Sequence, residues 1–247
     1  MHIHLPKPLH GWRALAGEIG IIVVGVLIAL GAEQAVDAVR DGHKADEART
    51  EIRAEIAQNV GEMAVRLRTD NCVRSRLDEI GALLDARAAG QSPAQPIWIG
   101  RPQTFVMNSN RLAAVTSAGR ASLLSQDEQA SYGQMYAAFA IFNDLIERER
   151  PAWAKLQILE EAPPSSPPLD AELRLARQEA KYDRARAAQV THEALRDAEL
   201  IGVKPDLVSW RPKNSGGGMI GACIPLHTPR AQALDLFYGR GDRTSEP

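Results

Sequence analysis

The stretch Leu15 to Ala32, LAGEIGIIVVGVLIALGA, decides the reading of the chain. Glu18 is its one charged residue, and Ile19 to Ala32 carry no polar side chain. A helix that crosses the hydrocarbon core needs about 20 apolar residues, with a range of about 17 to 25. Trp12 and Ala14 on one side and Ala35 and Val36 on the other extend the run, which sets a transmembrane helix over 15–36. Trp12 stands where an interfacial aromatic belongs. Gly20, Gly25 and Gly31 are spaced five and six apart, so they do not form the four-residue small-xxx-small motif among themselves. They read as ordinary residues of a membrane helix, and Glu18, Gly20, Gly25 and Leu30 are residues of the span.

The alternative is a cleaved signal peptide. Lys7 and Arg13 form a short basic region, an apolar segment follows, and Ala29 and Gly31 are small residues at which a cut would fall. The helical pattern continues unbroken through Glu33, Gln34, Ala35 and Val36, which favours an uncleaved anchor. Glu18 has two readings: an intramembrane carboxylate with a function, or an interfacial one favoured by the positive end of the helix. The interfacial reading is preferred. Lys7 and Arg13 before the span nearly balance Arg40, Lys44 and Arg49 after it, so the basic residues alone do not orient it. A short tail kept inside with the larger part translocated is the orientation chosen.

The rest of the chain reads as all-α. It has 247 residues, 29 Lys plus Arg against 31 Asp plus Glu, and 5% aromatics. The near-balanced charge exerts no general pull toward nucleic acid. Ile52, Ile56, Val60, Met63 and Leu67, then Val73, Leu77, Ile80 and Leu84, recur three and four apart on one helix face. Either one long helix or two with a break near Asp70–Asn71 satisfies that pattern. Its first part is near-heptad, so it suits a coiled coil with another chain or packing within its own domain. Matching stripes elsewhere favour the latter.

Gly90 to Pro102 is a break around the apolar patch Ile97-Trp98-Ile99. We expect Trp98 to tuck into the end of the domain; an exposed contact for a partner is the alternative. A short helix is expected from Gln103 to Ser117. Ser125 and Glu128 have capping-box spacing. Beyond them Met135, Phe139, Phe142, Leu145, Ile146, Trp153 and Leu156 form one stripe, expected to continue through a kink at Pro151. Ala162 to Pro168 reads as a stiff loop, and 169–201 as a helix with Leu173, Ala176, Ala180, Tyr182 and Leu195 among its apolar positions and Asp170 as cap. The pattern suggests a four-helix or similar up-down bundle over 37–201. Residues 1–14 are a tail, and 202–247 an irregular C-terminal segment with a short helix or turn at Leu234 to Phe237.

The two cysteines, Cys72 and Cys223, can form one disulfide if the domain lies in an oxidising compartment. No catalytic or cofactor constellation is recognised. Gly216 to Gly218 lack the Gly-Lys-Ser/Thr of a phosphate loop, and no Glu-x-x-His pair or nucleophile elbow is present. His2, His4 and His10 lie in the tail; His43, His192 and His227 are scattered. Arg240-Gly241-Asp242 reads as chance. Arg174, Arg177, Arg184 and Arg186 alternate with acids and read as a solvated face.

Gly17 to Leu30 resembles the N-terminal signature of a bacterial domain-of-unknown-function family of small single-pass membrane proteins. The likeness lies in Gly17-Glu18-Ile19, the mid-span Gly25 and Ile28-Ala29-Leu30. Leu112 to Gln129, with Ser117-Ala118-Gly119-Arg120 before Leu123, Leu124, Ser125 and Glu128, is similar to a second region of that family. Gly31-Ala32-Glu33-Gln34 departs from it, standing where Gln, Asn and Trp are frequent. The resemblance implies an anchor and a helical soluble part; it supplies no activity and leaves function open. The expectation is therefore a non-enzymatic interaction or sensing module with a periplasmic domain, bound to membrane lipid and to a protein partner or a second copy, without a cofactor. A tethered enzyme with a site assembled from distant residues is the competing class.

Overall fold

A computed structural model of the chain describes residues 11–207 and 221–238. The sequence readings of His2, His4, His10, the glycine run 216–218 and Arg240-Gly241-Asp242 lie outside them. Six α-helices make up the fold, and no strand occurs among the described residues. They are α1 (Trp12–Arg68), α2 (Asp70–Ala88), α3 (Asn110–Ser117), α4 (Gln126–Leu156), α5 (Pro167–Leu200) and α6 (Arg230–Tyr238).

The first apolar stripe folds as two helices, divided at Thr69, whose hydroxyl donates to the Arg66 carbonyl at 2.8 Å. At about 1.5 Å per residue, the 57 residues of α1 extend about 85 Å. Residues 15–40 are exposed throughout, and the first buried side chain of α1 is Ala45. No break separates the apolar run from the bundle's first helix: the 36/37 boundary drawn from the sequence falls inside one continuous rod.

Three long columns pack above Ala45, rather than the four suggested by the sequence. Arg49 meets Glu128, Tyr136 meets Glu55 and Arg66 meets Glu149, so α4 runs in the same direction as α1. Arg174 meets Asp85, Arg184 meets Asp70 and Arg53 meets the Gly202 carbonyl, so α5 runs back. Ile52, Ile56, Val60 and Met63 pack with Met135, Phe139, Phe142, Val190 and Ala194 in a lower core. Val73, Leu77, Ile80 and Leu84 pack with Trp153, Leu156, Leu173 and Ala176 in an upper one. The α1 stripe is thus consumed within its own domain. Pro151 lies inside α4, and Trp153 and Leu156 beyond it remain buried. The Ser125–Glu128 capping box forms at the start of α4.

Two long helices can run the same way because the chain returns between them without helix. Residues 91–109 descend alongside the bundle, and the helix expected from Gln103 begins only at Asn110. Its backbone groups are taken by side chains. Asn59 donates to the Asn108 carbonyl at 2.8 Å and accepts from its amide at 3.0 Å. Asn143 does the same for Met107, at 3.0 and 2.8 Å. Glu55 accepts from the Arg111 and Leu112 amides at the start of α3. Arg66 donates to the Gln103 carbonyl, and Arg76 to those of Trp98 and Ile99. Buried backbone groups must find partners, and here the helices supply them.

Other expectations shift for local reasons. Asp170 is not the cap of α5. Ser166 holds that place and Pro167 occupies the first turn, where a missing amide costs nothing. Asp170 instead pairs with Arg87 and accepts from the Ser165 hydroxyl. Tyr182 points to solvent, two residues along from the buried Ala180. Arg174, Arg177 and Arg184 are not merely a solvated face: they reach across to α2 at Asp85, Leu77 and Asp70. The close approach at Gly61 is backbone-limited, since a Cβ there would sit 2.2 Å from the Asp206 carbonyl oxygen.

Two substitutions test this packing. Arg76→Met leaves the carbonyls of Trp98, Ile99 and Ile224 without their donor, and should cost about 3–5 kcal/mol in chemical denaturation. Gly61→Ala should cost about 1–3 kcal/mol by pushing the chain off at Asp206. A wild-type midpoint in either variant would contradict the corresponding contact.

Candidate functional site

Two features stand outside the packing logic: the bare lower part of α1, and the attachment of the C-terminal segment beside Trp98.

On α1, the large apolar side chains from Leu15 to Leu30 are 44 to 76% exposed. Gly20, Gly25 and Gly31 face open space. Trp12 is exposed at the start of the helix. Because the helix begins at Trp12, Glu18 lies in its second turn. The attraction of a helix N-terminus for an anion fades within the first turn, so the helix dipole does not favour the Glu18 carboxylate there. Among the described residues one helix, Leu15–Arg68, is long and apolar enough to cross a membrane, and its most apolar window has no buried residue.

In the upper part, Cys72 in the first turn of α2 is joined to Cys223, their Cα atoms 4.9 Å apart. Both are half-buried. The bond ties a short helical turn, Gly221–Cys223, to α2, and the Ala222 amide ties it to the Arg101 carbonyl of the descending segment. Trp98 is half-buried there, neither fully tucked in nor free. Its indole Nε1 donates to the Gly221 carbonyl at 2.9 Å, and its ring lies 6.0 Å from that of Phe237 on α6. Beside it an open groove of about 580 Å³ runs between the top of α4, the start of α5 and α6. Lys155, Glu160, Glu172 and Arg230 on its wall are paired as Lys155–Glu172 and Arg230–Glu160.

The buried charges have partners within the fold. Glu149 faces Arg66 and accepts from the Trp153 indole at 3.1 Å; burial pushes its carboxyl up, against the opposing pull of Arg66. Tyr136 donates to Glu55 at 2.5 Å, and burial together with that bond pushes the phenol up. Asp183, beside Arg148, is likewise raised by burial. These arrangements place charge opposite charge or opposite backbone, which is what buried ion pairs require. His43 on α1, His192 on α5 and His227 beside the Gln95 carbonyl are not brought together. Among the described residues no group of three His, Cys, Asp or Glu is placed to hold a metal ion.

What sequence reasoning missed is the role of the buried polar residues Glu55, Asn59, Arg66 and Arg76. A charge within an apolar stripe was the available signal. Comparison with family models, with curated proteins and with solved structures finds no match for the chain. Its function is therefore read from its own physical chemistry.

The junction where α4 meets α1 is acid-sensitive. The Arg49 guanidinium, 2.6 Å from Glu128, holds that carboxyl down at about 2, and the Ser125 capping bonds add to the effect. Because the folded value lies below the ordinary one, the contribution is fully present above pH about 4.5 and lost as pH falls through about 2. Denaturation midpoints of the parent and Glu128→Gln should differ at neutral pH and converge in that window. A difference that persists unchanged below it would exclude Glu128 as the source.

Proposed function

We propose that the protein is a membrane-anchored helical interaction or sensing module of the bacterial envelope, with its bundle on the outer face of the inner membrane. The observation that carries this reading is the exposed apolar start of α1, continuous with the first helix of the bundle. A core helix of a soluble domain buries its apolar face; here the most apolar window has none buried. Each large apolar side chain gains about 1.5–3 kcal/mol on leaving water, so a run of them favours lipid by tens of kcal/mol. Residues 15–36 give about 33 Å of helix, close to the thickness of a hydrocarbon core. The pairing of Cys72 with Cys223 supports the periplasmic side, because disulfides persist in oxidising compartments.

An interaction role, rather than catalysis, is supported by the use of the buried charges. Glu55, Asn59, Arg66, Arg76 and Glu149 are committed to backbone groups or to one another. The counterpart is a protein partner or a second copy of the chain, held at the membrane by the same anchor. Any signal passed from the bundle to the bilayer has a continuous helix to travel along.

The test is the fate of a C-terminally tagged copy. It should remain with membranes through alkaline carbonate extraction, retain its N-terminal peptide by mass spectrometry, and be digested by protease added to intact spheroplasts. Release in soluble form without residues 1–31 would make the apolar run a cleaved signal. Protection until lysis would place the bundle in the cytoplasm and overturn the periplasmic reading.

A further inference from the structure

We propose that the half-buried Cys72–Cys223 bond is a reducible clasp that holds the 221–238 segment over Trp98 and Ile99, so that reduction uncovers this strip while the three-column bundle stays folded. The inference rests on the placement of the bundle in an oxidising compartment.

The segment is attached to the bundle from outside. The Leu226 carbonyl accepts from the amides of Ile97 and Trp98, each at 2.9 Å. The Ala222 amide donates to the Arg101 carbonyl at 3.1 Å, and Arg76 donates to the Ile224 carbonyl. Further ties are the Trp98 indole bond, the Trp98–Phe237 ring contact, the contact of His227 with the Gln95 carbonyl and an exposed ion pair, Arg230–Glu160, and Ala222, Ile224 and Ala233 are buried. These contacts lie on one side of the bundle, and a unit docked on one side can open without global unfolding. The bundle columns also pair with one another directly: α5 packs on α4, α1 and α2, and of the segment Ala222 joins the upper core with Leu226 packed against it.

The disulfide changes that balance. Before the segment, the Asp206 amide donates to the Ala57 carbonyl at 2.8 Å. A disulfide favours the state it closes by roughly a hundredfold over the same chain without the bond. Both cysteines are half-buried rather than enclosed in the docked state, and exposed disulfides are the labile ones. A dithiol reductant completes the exchange. One of its thiolates attacks a cystine sulfur, the S–S bond breaks and a mixed disulfide forms. Its second thiol then displaces the protein sulfur. Two electrons and two protons end on Cys72 and Cys223, and the reductant leaves as a disulfide.

What undocking opens is specific. Ile99, fully buried in the apolar cluster that Ala222 joins, loses that part of its surroundings. The amides of Ile97 and Trp98 lose their acceptor, and one arm of Arg76 loses the Ile224 carbonyl. The freed strip presents backbone donors beside an indole and an isoleucine, a surface suited to an extended peptide.

The experiment is hydrogen–deuterium exchange, read by mass spectrometry, on the full chain in detergent micelles, oxidised and after reduction. Reduction should speed exchange in 221–238 and in 95–101 by roughly a hundredfold, leaving α4 and the lower half of α5 unchanged. The double variant Cys72→Ser with Cys223→Ser should match the reduced protein without reductant. An intact disulfide whose reduction leaves 221–238 unchanged overturns the clasp alone, because Arg76 and Trp98 would then hold the segment by themselves. Exchange rising equally in all helices also overturns it, since the bond would serve the whole fold. Isolation with both thiols free overturns the oxidising-compartment reading, and the clasp with it.

Discussion

The constraint on which the structure depends is the backbone of the descending segment. Residues 91–109 cross from the top of α2 to the foot of α4 with neither helix nor sheet to satisfy their amides and carbonyls. A buried backbone group without a partner costs about 1–3 kcal/mol, and this stretch is buried at Pro96, Ile99, Gly100, Pro102 and Met107. The solution is a column of polar side chains on the helices themselves: Arg76, Arg66, Asn59 and Glu55 on α1 and α2, and Asn143 on α4. Without them the chain could not return, and α1 and α4 could not run in the same direction.

The same requirement explains why charges sit inside the domain. Arg66 serves the Gln103 carbonyl and Glu149 at once, and Glu149 serves Arg66 and the Trp153 indole. Arg66 is a shared fitting between helices and a non-helical neighbour, and Glu149 joins α4 to α1. The arrangement divides the interior into a lower and an upper apolar core with polar bonds between. The upper half is where the disulfide and the C-terminal segment attach, and the lower half is where α1 emerges toward its bare apolar end. Since α1 is unbroken from Trp12 to Arg68, the position of the bundle relative to that end is set by one stiff helix, not by a linker.

Much of this was legible residue by residue. The apolar run, the stripes of α1, α2 and α4, the continuation through Pro151 and the capping box at Ser125 were all read from the sequence and occur in the structure. Each depends on neighbours three or four positions away, so the chain states it locally. The start of α3 and the cap of α5 were misplaced. There the deciding partners, Asn59 for Asn108 and Arg87 for Asp170, lie far away in sequence.

By itself the sequence determined the all-α class, the long apolar helix at the N-terminal end and which faces of the helices are buried, because side-chain periodicity and transfer free energy act over a few residues. Only the tertiary structure decided that the columns are three, that α4 runs with α1, that Arg174, Arg177 and Arg184 bind α2, and that Cys72 meets Cys223 across a separation of 151 residues. Those outcomes depend on where a non-helical segment can satisfy its hydrogen bonds, and that is settled by partners which only folding brings together.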